Sequence, residues 1–561
     1  MNESPSHVHG ATDTPLIEAT IGAMLERAVQ RWPEREALVS VAQGIRWNYA
    51  EFGRRVEELA LGLAALGLRR GDRVAVWAPN CAEWVLTQFA TARAGLIQVN
   101  INPAYRLSEL EFTLTKVGVK SLIAATAFKS SDNVGMIEAL APEITSSRPG
   151  GLKSARLPAL QVVAKIGGGP RAGWFDFEDL STPAIRGDAP VALPRDLSNR
   201  DPINIQFTSG TTGLPKGATL SHRNLVNNAY FVGRSTGLRE GDRLCVPVPL
   251  YHCFGMVMSN LACVIHGATI VYPSAGFDPL EVLKAVQAER CTVLHGVPTM
   301  FIAELEHPRF GEFDLTSLRS GIMAGSPCPI EVMRQVVERM HMREVTIAYG
   351  MTETSPVSFQ SSPDDPLERR VTTVGRIQPH MEAKVIDATG STVARGAVGE
   401  LCTRGYAVML GYWEDAERTS EAIDGEGWMH TGDLATLDAD GYCNIAGRAK
   451  DMIIRGGENV YPREIEEFLY RHPKIADVAV IGVPDPKYGE EVCAWVRLHA
   501  HASSTEEEVR EFCRGQIAHY KVPRYVLFVE SFPATVTGKV QKYLMRQQMI
   551  ERLGLEEQRT A

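Results

Sequence analysis

Residues 208–217 read Thr208-Ser209-Gly210-Thr211-Thr212-Gly213-Leu214-Pro215-Lys216-Gly217, set between an apolar stretch, Ile203 to Phe207, and a helix start at Ser221-His222-Arg223-Asn224. Glycines at 210, 213 and 217 permit backbone conformations that a side chain would forbid. Consecutive amides and the hydroxyls of Thr208, Ser209, Thr211 and Thr212 can then converge on phosphate oxygens, with Lys216 as a mobile cation. The run is not a Walker A loop, because Gly217 follows Lys216 where Ser or Thr would ligate magnesium. An ordinary Gly/Thr turn is the alternative; ten residues of this composition favour a phosphate cradle.

Working outward, 561 residues exceed one ordinary core and call for two or more domains. Hydrophobic residues make up 44% and charged residues 22%, the balance of a soluble globular chain, and the net charge of -9 argues against a nucleic-acid-binding surface. The 10 cysteines show no Cys-x-x-Cys pair or zinc spacing and read as reduced thiols. The first Lys or Arg is Arg27, so neither a signal peptide nor an arginine-rich presequence is expected, and a cytoplasmic location follows. Leu244 to Phe277 carries no charge, but Pro247, Pro249, His252, Asn260 and His266 interrupt it, so it reads as buried core and the wall of an apolar pocket rather than a bilayer span.

Phe52, Val56, Leu59, Leu63 and Leu66 share one face of a helix, and Arg73 to Trp77 follows as a strand. Such units recur to about residue 350, with strand-like runs at Ala268–Tyr272 and Thr292–Leu294, which predicts a layered α/β domain with parallel strands. Ser147 to Gly173, rich in Gly, Pro and basic residues, is expected to be a surface excursion. Near Gly447-Arg448-Ala449-Lys450-Asp451 the pattern changes to a compact α+β unit: a helix from Pro462, strands Val478–Val483 and Val492–Leu498, and a helix from Thr505. The expected division is 1–449 and 450–561, joined by a charged hinge rather than a Gly/Ser linker.

Joining a carboxylic acid to AMP needs a phosphate cradle, a magnesium ligand, a ribose acceptor, an adenine slot and a cation for charge developing at phosphorus. Tyr349-Gly350-Met351-Thr352-Glu353 follows an apolar strand; Glu353 suits Mg²⁺, Thr352 a phosphate, and Tyr349 can stack on adenine. Alone it also reads as a turn with Glu353 in solvent; beside the phosphate loop the ligand reading is preferred. Ala324-Gly325-Ser326-Pro327 can edge an adenine pocket, and Thr431-Gly432-Asp433 presents an acid after a tight turn, suited to ribose hydroxyls although common as a plain turn. Arg448 can reach the same ribose, and Lys539, in Thr537-Gly538-Lys539-Val540, reads either as a surface charge or as a lysine carried in and out of the site by a mobile domain.

In this order the motifs resemble those of the adenylate-forming (AMP-binding) superfamily. The stretches from Pro249 to Gly255, Ala348 to Pro356, Gly399 to Trp413 and Lys450 to Pro462 are most similar to its medium-chain acyl-CoA synthetase branch, acyl-CoA synthetase family member 2. The resemblance implies a fatty acid–CoA ligase of lipid metabolism with ATP, Mg²⁺ and CoA: carboxylate attacks the α-phosphorus of MgATP, and CoA then displaces AMP. It places the phosphates at 208–217, magnesium at Glu353 with Thr208, and the ribose at Asp433 and Arg448. Lys539 becomes the catalytic lysine, aided by Thr352, Lys450 the hinge, and Gly456-Gly457 the mouth of the CoA tunnel. His252 corresponds to the gate between acyl pocket and tunnel; a core histidine satisfied by its neighbours is the other reading. The acyl pocket is expected around Phe254, Val297, Gly350 and Met351, where no basic residue invites a second carboxylate. Another acid, or a carrier protein as acceptor, is the alternative, and a homodimer is the protein partner considered.

Overall fold

Alternating short β-branched strands and amphipathic helices build the fold in the computed structural model of the chain, which describes residues 4–129, 131–186, 191–208, 215–326, 328–456, 458–535 and 540–555. Two large sheets dominate it. The first has eight strands in the order Phe175–Asp176, Val162–Ile166, Ser121–Ala125, Arg73–Trp77, Ile97–Asn100, Pro202–Thr208, Lys216–Ser221 and Gly411–Tyr412. Pairing is parallel from Phe175 through Thr208, and the last two strands join antiparallel. The second has nine strands, its parallel centre running Glu344–Gly350, Ser320–Ala324, Val293–Gly296, Arg243–Cys245, Thr269–Tyr272 and Glu36–Ser40.

Between the two sheets lies a helical layer. Ala82–Ala94 is buried on nearly every side, its Thr87, Gln88 and Thr91 included, so it shows no single apolar stripe. Trp84 and Phe89 of this helix share one core with Val76 and Ile123 of the first sheet and Leu38, Ile270 and Tyr272 of the second. Helix Tyr49–Ala65 buries the expected Phe52, Val56, Leu59 and Leu63, capped at its start by the Asn48 side chain on the Glu51 amide. Further helices cover the outer faces of both sheets.

Ser147–Gly173 is not only a surface excursion. Val162–Ile166 is an interior strand of the first sheet, paired on both sides, and Lys165 is buried against Asp176. The Gly and Pro residues flanking Leu160-Gln161-Val162-Val163-Ala164 masked a run short enough for one strand.

A five-stranded antiparallel sheet follows, ordered His7–His9, Met381–Ile386, Gly399–Gly405, Met429–Leu437 and Cys443–Arg448. A second five-stranded sheet uses only residues after Met452: Ile475–Asp485 pairs antiparallel with Gly489–Leu498, and helix Pro462–Leu469 buries Ile465 and Leu469 against it. Its contacts with the earlier residues include polar ones. Arg463 Nη1 donates to the Ile445 carbonyl at 3.1 Å, and Glu306 binds Arg497 at 3.3 Å and His499 at 2.9 Å.

Two buried imidazoles set an acid limit on this packing. His222 Nδ1 accepts the Ile21 N–H at 3.1 Å, and burial holds its pKa down to about 4; burial holds that of His295 down to about 3. Unfolded, both take protons near pH 6.5. Their stabilising contribution is therefore complete above about pH 6.5 and is lost as pH falls toward 4, with a limiting slope of ~1.4 kcal/mol per pH unit for each histidine. Urea midpoints measured from pH 7 to 4.5 should fall accordingly, and His222→Gln should flatten the slope.

Candidate active site

Strand Pro202–Thr208 ends where the phosphate-loop residues begin, and Lys216 opens the returning strand directly opposite Thr208. Ser209, Gly210, Thr211, Thr212 and Gly213 lie outside the described residues, as do Gly457 and Lys539. The antiparallel bridge between Ala534 and Val540 brackets the segment that carries Lys539.

Glu353 sits in the short 3₁₀ turn Thr352–Thr354 after the strand Glu344–Gly350 and is 5% exposed. Its Oε1 accepts the Thr208 hydroxyl at 3.1 Å and the Tyr412 hydroxyl at 2.9 Å, and its backbone carbonyl accepts the Met409 N–H at 2.9 Å. Both side-chain donors are neutral hydroxyls, and the oxygen-rich set suits a hard divalent ion. Tyr412 lies within the stretch from Gly399 to Trp413, where the sequence assigns it no role. Only its pairing with Ala218 beside the loop reveals it. Burial first, then Glu353, hold the Tyr412 phenol far above its ordinary pKa, so it remains a donor. Lys216 Nζ lies over the same ring at 4.6 Å from its centroid.

A second cluster joins the nine- and five-stranded sheets. Tyr349 donates from its hydroxyl to Asp433 Oδ2 at 2.6 Å, and Arg448 Nε lies 3.6 Å from Asp433 Oδ1, the two residues facing each other across paired strands. Burial, then Asp433, push the Tyr349 phenol well above its usual pKa. Tyr349 is thus fixed to the acid expected at the ribose. Asp433 lies inside the strand Met429–Leu437, not after an isolated turn; positive φ at Gly432, +68°, supplies the local kink. Lys450 follows in a 3₁₀ turn, its pKa lowered by burial and by Arg448.

Phe254, Val297 and Met351 fall in one apolar cluster, and Phe254 also packs on Met258, Ile322, Ala324 and Ala348. A Cβ on Gly350 would lie 1.7 Å from the Pro356 carbonyl oxygen, so this position admits glycine alone, and a Cβ on Gly325 would sit 3.2 Å from Val297. His252 is half-buried, its ring 4.4 Å from that of Tyr251. His295, which the sequence reading missed, stands 5.4 Å from the Phe254 ring with Nδ1 at 3.1 Å from Ser259 Oγ. Gly456, at φ +60°, is held by its N–H to the Tyr488 carbonyl at 2.7 Å, on the unit that carries the last sheet.

Comparison with known proteins yields a consistent set. The AMP-binding enzyme family matches residues 25–413, and the AMP-binding enzyme C-terminal domain matches 464–539. The chain is 51% identical to the zebrafish (Danio rerio) protein named medium-chain acyl-CoA ligase ACSF2, mitochondrial, over 98% of this chain and 91% of that one. It is 48% identical to the putative acyl-CoA synthetase YngI of Bacillus subtilis, over 96% and 99%. Among solved structures, the anthranilate CoA ligase AuaEII in complex with anthranoyl-AMP superimposes with a TM-score of 0.86 at 28% identity, covering 97% and 99%.

The shared carboxylate gives a test of the geometry. Tyr412→Phe should cost ~1–3 kcal/mol by leaving a buried carboxylate short of a donor, and Tyr412→Phe with Glu353→Gln should cost less than the two single losses summed. Denaturant titration of the four variants reads the coupling.

Proposed function

The chain belongs to the AMP-binding enzyme family, and on that footing we propose that it is an AMP-forming acyl-CoA synthetase acting on a medium-chain fatty acid. The observation that carries this reading is the convergence of Thr208, Glu353 and Tyr412 at the end of the loop strand, with Tyr349, Asp433 and Arg448 as a second cluster. In it, residues 208–217 cradle the ATP phosphates. Asp433 accepts from the ribose hydroxyls while Tyr349 fixes its second oxygen, and Arg448 stands beside its first. Glu353, with Thr208, would hold Mg²⁺. That ion, when bound, neutralises phosphate charge during in-line displacement.

Lys539 is assigned to the acyl carboxylate and the α-phosphate, where its ammonium offsets developing charge. The division at 449/450 and rotation about Lys450 belong to the same proposal. One cavity cannot present a cation to phosphate and a thiol channel to the same carbon at once, so the lysine must leave before CoA arrives past Gly456 and Gly457. Exposed docking ion pairs such as Glu306 to Arg497 can be exchanged at little cost. His252 is assigned to the gate, and Phe254, Val297, Gly350 and Met351 to the acyl wall. The charge-free surroundings of Phe254 and the name of the zebrafish relative support a medium-length alkyl chain.

A cytoplasmic location and a homodimer complete the proposal. The first competes with the compartment in the zebrafish relative's name, and cell fractionation decides between them. Size-exclusion chromatography with light scattering decides the second.

Mass spectrometry of reactions containing MgATP, CoA and acids from acetate to long-chain and aromatic should show acyl-CoA and AMP, with a maximum at medium length. Acyl-adenylate accumulating without thioester would instead point to a carrier-protein acceptor. Lys539→Ala should abolish adenylation and spare thioester formation from supplied acyl-adenylate; equal loss of both half-reactions would refute the rotation scheme. Asp433→Ala should lower kcat/KM for ATP by ~1–3 kcal/mol, or about 5- to 150-fold, with the acid's KM little changed.

A further inference from the structure

On one face of the five-stranded sheet, three side chains from adjacent strands meet beside the Asp433 segment. Cys402 and His430 are register partners, and Glu400 lies two residues from Cys402 on the same strand face. Cys402 Sγ is 3.6 Å from His430 Nδ1, and His430 Nδ1 is 3.2 Å from Glu400 Oε2. All three ligand atoms lie within 4.8 Å of one another. A tetrahedral ion with metal–sulfur bonds of about 2.3 Å and metal–nitrogen or –oxygen bonds of about 2.0–2.1 Å has ligand edges of about 3.5 Å for S···N and about 3.3 Å for N···O. Two of the edges here already have those lengths.

The surroundings fit as well. Glu400 Oε1 accepts the Gly432 N–H at 3.2 Å, which leaves Oε2 aimed at His430. Asp424 Oδ2 lies 3.8 Å from His430 Nε2, on the ring edge away from Cys402, beyond hydrogen-bond reach. Asp424 is itself fixed by the Trp428 and Glu426 amides, both at 2.9 Å. Cys402 is fully buried, while Glu400 and His430 remain about one-third exposed, at 31% and 32%, which leaves a path for an ion and room for a water as fourth ligand.

We propose that Glu400, Cys402 and His430 form a site for a zinc-class divalent cation, built onto the strand segment that carries Asp433 and distinct from the magnesium position at Glu353. On binding, the Cys402 S–H bond breaks, its proton leaves to solvent, and the sulfur forms a bond to the metal. A thiolate and an imidazole select zinc or cobalt over magnesium, which takes oxygen ligands in octahedral array. Because Glu400 also holds Gly432, an ion there ties the neighbour of Asp433 to two strands. The other group of this kind among the described residues, His7, His9 and Glu382, has no sulfur, and Arg404 already binds Glu382 at 2.8 Å.

The Cys402 sulfur, which the His7–His9–Glu382 group lacks, makes the test decisive. The full chain, stripped of metal and then loaded with one equivalent of Zn²⁺ in excess Mg²⁺, should show by X-ray absorption one sulfur at about 2.3 Å and nitrogen or oxygen neighbours at about 2.0–2.1 Å. Loading with Co²⁺ should give a thiolate-to-metal charge-transfer band. Cys402→Ser, close to Cys in size, should lose the band and bind Co²⁺ at least tenfold more weakly while keeping the wild-type circular dichroism. A shell of nitrogen and oxygen alone, a band that survives in Cys402→Ser, or no stoichiometric binding would each overturn the proposal.

Discussion

A buried carboxylate must be satisfied, and at Glu353 that requirement fastens the molecule together. Its acceptor oxygen takes hydroxyls from Thr208, at the end of a central strand of the first sheet, and from Tyr412, at that sheet's edge. Glu353 itself follows the strand Glu344–Gly350 of the second sheet. Remove the acid and the end of the loop strand loses its tie to the opposite sheet. The helical layer between the sheets sets their separation, so only side chains at their shared end can meet this way.

Tyr349 repeats the arrangement toward the third sheet. Its ring comes from the second sheet and its hydroxyl reaches Asp433, which faces Arg448 across a strand pair. Three sheets therefore contribute to one neighbourhood, each through side chains mounted on regular strands or just beyond their ends. Rigid supports of this kind hold polar groups in place without relying on loop conformation.

The unit after Met452 is attached differently. It has its own apolar core around Ile465, Val480 and Val496, and the polar contacts of Glu306 and Arg463 with its neighbours are partly exposed. Such contacts resemble those between domains that move relative to one another.

Much of this was readable from residue order. Local patterns are set by neighbours in the chain, so the helix at Phe52–Leu63, the strand ahead of the loop and the change of pattern near Arg448 were legible before any fold was known. What stayed hidden depended on pairings between distant segments. Val162–Ile166 became an interior strand because neighbours on both sides buried it, a fact its Gly- and Pro-rich flanks concealed. Tyr412 joined the Glu353 carboxylate, and Glu400, Cys402 and His430 came together, only because antiparallel register set residues far apart in sequence on one face. The sequence by itself determined which elements form and which chemical groups are carried; tertiary structure decided which of them meet, because strand register and sheet stacking are settled by the burial of the whole core rather than by any one segment.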